Sequence, residues 1–246
     1  MTTANAPTPA ATGRLSGRRA LVTGASRGIG RAVALRFAAE GADLVLVART
    51  EAGLMEVDDA VRRCGRSAAL VPADLTNLDV IDRIGAAIYE RWGHLDILVG
   101  AAAELGILTP IAEVSPQLWE RVLTLNLTAN WRLIRSLDPL LRAAPAGRAI
   151  FVTAAESRGV AYWGPYAVAK AGLEAMVRVY AAEVAKTRLR VNLIDPGPAR
   201  TRLRACAFPG EDPSTVPPPE ALTDTFVALA EQACRHHGAL VRAATG

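Results

Sequence analysis

The chain has 246 residues, 51% hydrophobic and 21% charged, which is enough apolar surface for a sizeable core and excludes wholesale disorder. Gly 20, Pro 15 and Cys 3 exclude collagen-like and disulfide-stapled frameworks. The formal net charge of +4 is carried almost wholly by arginine; its densest groups (Arg18-Arg19, Arg62-Arg63, Arg200 to Arg204) form no stripe with interleaved aromatics, so no nucleic-acid partner is expected.

Residues 1–16 are rich in Ala, Thr and Pro, with neither a basic start nor an apolar run. They read as a flexible tail and not as a leader peptide. Residues 17–246 read as one domain. A strand is predicted at 20–23, a glycine-rich turn follows, and a helix runs through Ala39 to Gly41. A strand at 43–48, a helix at 51–63 and a strand at 68–72 come next. A helix at 78–92 leads to a strand at 95–99. A long amphipathic pattern covers 117–142, followed by a strand at 149–153. Gly164-Pro165 opens a helix to about Thr187, with proline suited to its first turn. The last clear strand is 190–194. Strict alternation of this kind predicts an α/β fold, a mostly parallel sheet with helices on both faces. Residues 209–219 form the single low-complexity stretch within the domain, either a substrate lid or a surface loop.

The apolar stretch 97–114 is interrupted by Glu104, Pro110 and Glu113 and should not span a membrane. Cys64, Cys206 and Cys234 lie far apart, and His94, His236 and His237 form no cluster, so no metal site is expected. A reducing, cytoplasmic location follows as an expectation.

Chemistry concentrates at a few positions. The first strand runs into Thr23-Gly24-Ala25-Ser26-Arg27-Gly28-Ile29-Gly30 and then a helix. Glycines at this spacing let the backbone approach a pyrophosphate, and the helix start supplies amide donors and the positive end of a dipole. Tyr166 and Lys170 are four apart on a predicted helix and share a face. A neighbouring ammonium favours the phenolate, so Lys170 is expected to draw the Tyr166 pKa down and poise it for proton transfer. An NAD-selective site wants an acidic residue about 20 positions beyond the glycine turn. Here the second strand ends in Arg49, which can fork onto a 2′-phosphate, as can Arg27 in the turn, so NADP(H) is expected over NAD(H).

The Thr-Gly-x-x-x-Gly-Ile-Gly turn with Tyr-x-x-x-Lys resembles the short-chain dehydrogenase/reductase family over roughly residues 18–201. The resemblance implies a doubly wound, Rossmann-type domain and hydride exchange between a nicotinamide cofactor and a carbonyl or secondary alcohol. It further implies that Ser26 and Ile29 belong to the cofactor turn, and that Asp74 contacts the adenine ring. Asn126 would hold a proton-relay water, Lys170 the ribose hydroxyls, and Pro196, Gly197 and Thr201 the nicotinamide. By the same resemblance, the helices at 117–142 and 164–187 would pack against a second subunit, giving a homodimer or homotetramer.

Two departures stand out. Gly100-Ala101-Ala102-Ala103 replaces the family's Asn-Asn-Ala-Gly, leaving either a tight methyl-lined turn or a loosened nicotinamide site with Ala103 at a glycine-only backbone angle. The family's catalytic serine is missing. Counting back 13 from Tyr166 reaches Thr153, whereas counting 7 on from Gly147 reaches Ala154. Thr153 is the provisional oxygen-binding hydroxyl, with Ser157 as the other candidate. These departures motivate an alternative, an impaired NADP-binding sensor or partner subunit. Trp163 and Tyr162 are candidates for the substrate mouth, and Arg202 and Arg204 hint at an anionic substrate.

Overall fold

The computed structural model describes residues 13–244. Seven strands form one sheet: β1 (Arg19–Thr23), β2 (Asp43–Ala48), β3 (Ala68–Pro72), β4 (Ile97–Gly100), β5 (Arg148–Val152), β6 (Arg190–Asp195) and β7 (Leu240–Arg242). Their order is β3-β2-β1-β4-β5-β6-β7, and every pairing is parallel. A parallel sheet with both faces covered needs strands that are apolar on both sides. Along β1, Ala20 and Val22 enter one core while Leu21 enters the other, and β2 divides Leu44 and Leu46 from Val45 and Val47 in the same way.

One face is covered by α1 (Gly28–Ala39), α2 (Glu51–Arg63) and α8 (Thr223–Ala230), the other by α3 (Leu78–Trp92), α5 (Ala129–Ala143) and α6 (Gly164–Val184). Two shorter helices, α4 (Pro116–Leu123) and α7 (Arg202–Ala207), lie beyond the carboxyl ends of the strands in sequence. The chain reverses direction of progress between β1 and β4, and the carboxyl edge there is the expected place for a ligand crevice.

The predicted elements recur within two or three residues, with two differences. The 117–142 pattern is not one helix: a π-helical turn at Thr124–Thr128 separates α4 from α5. The apolar period runs straight through it, so periodicity alone reports no break. A further strand, β7, completes the sheet; at three residues it is too short to show an alternation.

Of the expected tail, residues 1–12 lie outside the described residues, but residues 13–16 are packed. Leu15 is 0% exposed and donates its N–H to the Glu40 carbonyl at 2.9 Å, and Arg14 pairs with Asp224 and Glu231. Some arginines are structural. Arg18 is buried and donates to the carbonyls of Ala146 and Ala230, which ties strand β1 to α8; burial pulls its pKa down to about 10. Asp96 caps the amino end of β1, accepting the Arg19 N–H at 3.0 Å.

Candidate active site

At the carboxyl edge of the sheet a cleft of about 1240 Å³ collects side chains from nearly every strand end. Its floor is the turn after β1. Gly24 and Gly28 have φ of +68° and +56°, the left-handed region where a side chain is strained. Gly30 is fixed by space instead, since a Cβ there would lie 2.4 Å from the Gly24 carbonyl oxygen. No side chain caps the start of α1, so its first amides are left for an anion in the cleft. Ser26 and Ile29 line the same floor.

Thr23, which motif reading passes over as the lead-in to the glycines, organises the opposite wall. Its hydroxyl donates to the Val99 carbonyl at 3.3 Å and accepts the N–H groups of Ala101 and Ala102 at 3.0 and 3.1 Å. The Gly-Ala-Ala-Ala turn is therefore held, and Ala103 does not occupy the left-handed region. Asn130 stands in the space that a side chain at position 100 would need: a Cβ on Gly100 would lie 2.5 Å from Asn130 Oδ1. An amide from α5 thus takes the place of one from β4. This is the tight, methyl-lined arrangement, and the strained one is set aside.

Arg27 and Arg49 both line the cleft, and among the described residues neither has a carboxylate within 4.0 Å. Glu51, in the first turn of α2, is exposed and does not line it. Asp74 lines the cleft as expected and accepts from Thr76 N–H at 3.0 Å and from its hydroxyl at 2.8 Å. Partial burial pushes its carboxyl up. The Thr76 bonds and the nearby Arg49 and Arg121 outweigh this and hold the pKa below the ordinary value.

Tyr166 and Lys170 stand on α6 and face the cleft together, the ammonium 5.6 Å from the centre of the phenol ring. Lys170 is 2% exposed and donates to the Val152 carbonyl at 2.7 Å, with no carboxylate partner among the described residues. Burial pulls its pKa down to about 8. The expectation that Lys170 lowers the Tyr166 pKa is overturned. Burial pushes the phenol well above its ordinary value, and the negative charges of Glu156 and Asp195 push it further. The loss of hydration dominates, so Tyr166 holds its proton through neutral pH.

The lysine shift has a measurable consequence. Its folded pKa of about 8 lies below the unfolded value near 10.5, so the fold disfavours the protonated form. The penalty is full below pH 8 and is lost as pH rises from 8 to 10.5. Lys170→Met should therefore raise the stability of the ligand-free protein at pH 7 by about 3 kcal/mol, from a shift of about 2.5 units. The advantage should vanish by about pH 10.5, as read from urea midpoints of both proteins across pH 7 to 10.5.

Asn126 is fully buried in the π-helical turn and does not itself line the cleft. Its side chain accepts the Glu104 N–H at 3.1 Å and donates to the Glu104 carbonyl at 2.8 Å, pinning the segment that leaves β4. Its main-chain carbonyl accepts from Asn130 Nδ2 at 2.8 Å. Glu104 is paired with Arg121 through two bonds of 2.7 and 3.1 Å.

Thr153 reaches the cleft wall, but its hydroxyl donates at 2.8 Å to Oε1 of Glu174, one turn beyond Lys170 on α6. Ser157 donates to the same oxygen at 2.7 Å. A hydroxyl has one proton to give, and both are given to Glu174, so neither candidate stands as a donor toward the cleft. Ala154 lies between them in the wall, presenting a methyl. Glu174, which sequence reading missed, holds this loop; its spacing from Tyr166 and Lys170 was the available signal.

Pro196, Gly197 and Thr201 close the far side. Gly197 has φ +65° and donates its N–H to Asp195 at 3.0 Å, while Thr201 caps α7 by accepting the Arg204 N–H. Trp163 lines the cleft, whereas Tyr162 does not; it is 62% exposed and strained at φ +73°.

Comparison with known proteins identifies the family. The family model described as short chain dehydrogenase matches residues 18–212. The oxidoreductase YciK of Escherichia coli K12 is 36% identical over 219 residues, covering 87% of this chain and 86% of its own. A short chain dehydrogenase from Shigella flexneri 2a, solved in complex with NADP, superposes with a TM-score of 0.90 at 35% identity, covering 94% of this chain and 98% of its own. One from Escherichia coli CFT073, complexed with NADPH, gives the same TM-score, identity and coverage.

Proposed function

Since the chain belongs to the short-chain dehydrogenase family, and is accordingly an oxidoreductase with a Rossmann-type fold, we propose that it interconverts a carbonyl and a secondary alcohol using NADP(H). The observation that carries this reading is the pair Tyr166 and Lys170 facing one cleft with the glycine turn.

The residues present suit a dinucleotide. Gly24, Gly28 and Gly30 keep a tight turn that side chains would strain or crowd, which suits close approach of a diphosphate, and the uncapped start of α1 offers amides. Arg27 and Arg49 would take the 2′-phosphate, Asp74 the adenine, Lys170 the ribose hydroxyls, and Pro196, Gly197 and Thr201 the nicotinamide. When bound, the cofactor supplies or accepts the hydride. Tyr166, holding its proton through neutral pH, gives that proton to the substrate oxygen in reduction; in oxidation it must first lose its proton, so that the phenolate can take the one leaving the alcohol. Lys170 has two unspent N–H donors in a buried setting, which hold hydroxyl groups and replenish the tyrosine proton through the relay water at Asn126. Ala154 adds no donor, so Tyr166 alone bears the charge developing on oxygen.

The cofactor reading is tested by fluorescence titration with NADPH and NADH. NADPH should bind at least tenfold tighter, and Arg49→Glu should reverse the order by removing a cation and adding a charge that repels the phosphate. Equal affinities for both cofactors would sink the preference.

A homodimer or homotetramer completes the proposal. Trp131 on α5 and Val168 and Val179 on α6 are exposed apolar side chains on the helices expected to meet a second subunit. We place the enzyme in the cytoplasm; among the described residues no helix is long and apolar enough to cross a membrane.

A further inference from the structure

The cleft beyond Tyr166 continues into a chamber whose walls come from three separate segments. Leu105 and Leu118 stand on one side, Ala154 and Trp163 on another, and Leu203 and Phe208 close the third. All but Phe208 belong to the same apolar cluster as Tyr166. Trp163 is the centre of an aromatic set, with Tyr166 at 5.7 Å and Phe208 at 5.9 Å between ring centroids.

Several charges around this chamber are spent. Arg204 is held by Glu211 through two bonds of 2.7 Å, and its guanidinium lies 4.2 Å from the centre of the Phe208 ring. It acts as a brace behind an aromatic wall and is not free to receive an anion. Glu104 is taken by Arg121, and Asp195 accepts from Gly197. Glu156 lines the cleft and, among the described residues, has no side-chain partner; its charge bears on the Tyr166 proton. Glu156 and the Lys170 ammonium therefore face the reacting phenol with opposite charges, and neither belongs to the apolar walls. Arg200 and Arg202 also line the cleft, both with side chains exposed to solvent.

We propose that the substrate is a bulky apolar ketone or secondary alcohol without a carboxylate, its hydrocarbon body seated against Trp163 and Phe208. The inference rests on the oxidoreductase reading for the reacting group, but the chamber's preference is a binding property that can be measured apart from turnover. An apolar body gains from leaving water for these walls, by a factor of about three to four for each methylene buried. A carboxylate seated against these walls would lose its hydration among apolar side chains, with Arg204 already engaged by Glu211.

The test compares two probes of nearly equal size, 4-isopropylacetophenone and 4-acetylbenzoate, titrated calorimetrically into the protein with and without saturating NADPH. The isopropyl ketone should bind at least tenfold tighter. Its affinity should fall at least tenfold in Phe208→Ala. In Arg204→Met, which keeps length but removes the brace, it should fall severalfold while NADPH affinity is unchanged. Equal binding of the two probes, or preference for the carboxylate, would overturn the proposal, and so would a Phe208→Ala variant that binds the ketone like the parent. Failure to bind NADPH, or to turn over any ketone, would count against the oxidoreductase reading alone, because the comparison of the two probes is read from binding.

Discussion

Tyr166→Phe should reduce kcat by ~10³ while leaving NADPH affinity within about threefold, the range expected when a positioned general acid is removed. The hydroxyl has no protein hydrogen-bond partner among the described residues and is not among the fully enclosed polar atoms, so the cleft is its outlet. Its removal leaves no buried group unsatisfied, and the ring keeps its packing against Trp163. Thermal stability should therefore change little, which separates lost chemistry from lost fold. The checks are steady-state turnover, cofactor fluorescence titration and a melting curve on the same preparation. A variant with more than a tenth of the parent's kcat would remove Tyr166 from the acid role.

Ala154→Ser should act in the opposite direction and raise kcat by ~10². Removing one donor aimed at a developing oxyanion costs ~3 to 4 kcal/mol in enzymes that have it, and here the wall offers a methyl at the corresponding place. Ala154 has extended backbone angles, φ −156° and ψ 151°, which serine adopts without strain. The added hydroxyl would face the cleft beside Tyr166, unlike those of Thr153 and Ser157, which are given to Glu174. Thr153→Val makes the contrast. It takes one donor from Glu174 and should cost about 1 kcal/mol of stability, read from urea midpoints, with far less effect on kcat than the serine substitution. No gain in Ala154→Ser would mean that Tyr166 alone already supplies what the substrate oxygen needs.

Much of this site is legible in the order of residues along the chain. The glycines of the turn, Arg27, Arg49, Asp74, Tyr166, Lys170 and the Pro196-Gly197 segment all come together in one cleft, because each belongs to a local motif at the carboxyl end of a strand or the start of a helix. Local spacing carries that information: four residues on a helix are one turn, and an apolar run before glycines is a strand entering a turn. The position of the hydroxyl is not legible in the same way. Two counts, from Tyr166 and from Gly147, disagree by one residue; both residues line the cleft, and what separates them is Glu174, which takes the Thr153 hydroxyl.

Periodicity and motif spacing are properties of neighbours in the chain, and they suffice for the alternation of strands and helices, the parallel sheet, the family and the placing of Tyr166 and Lys170 on one helix face. What depends on distant segments meeting had to come from the folded molecule. Glu174 captures two hydroxyls from 17 and 21 residues away, Asn130 fills the space beside Gly100, and β7 joins the sheet edge after a long excursion. The protonation of Tyr166 belongs to this second group. Spacing places an ammonium beside the phenol, but burial is set by the whole fold, and here the loss of water around the hydroxyl dominates.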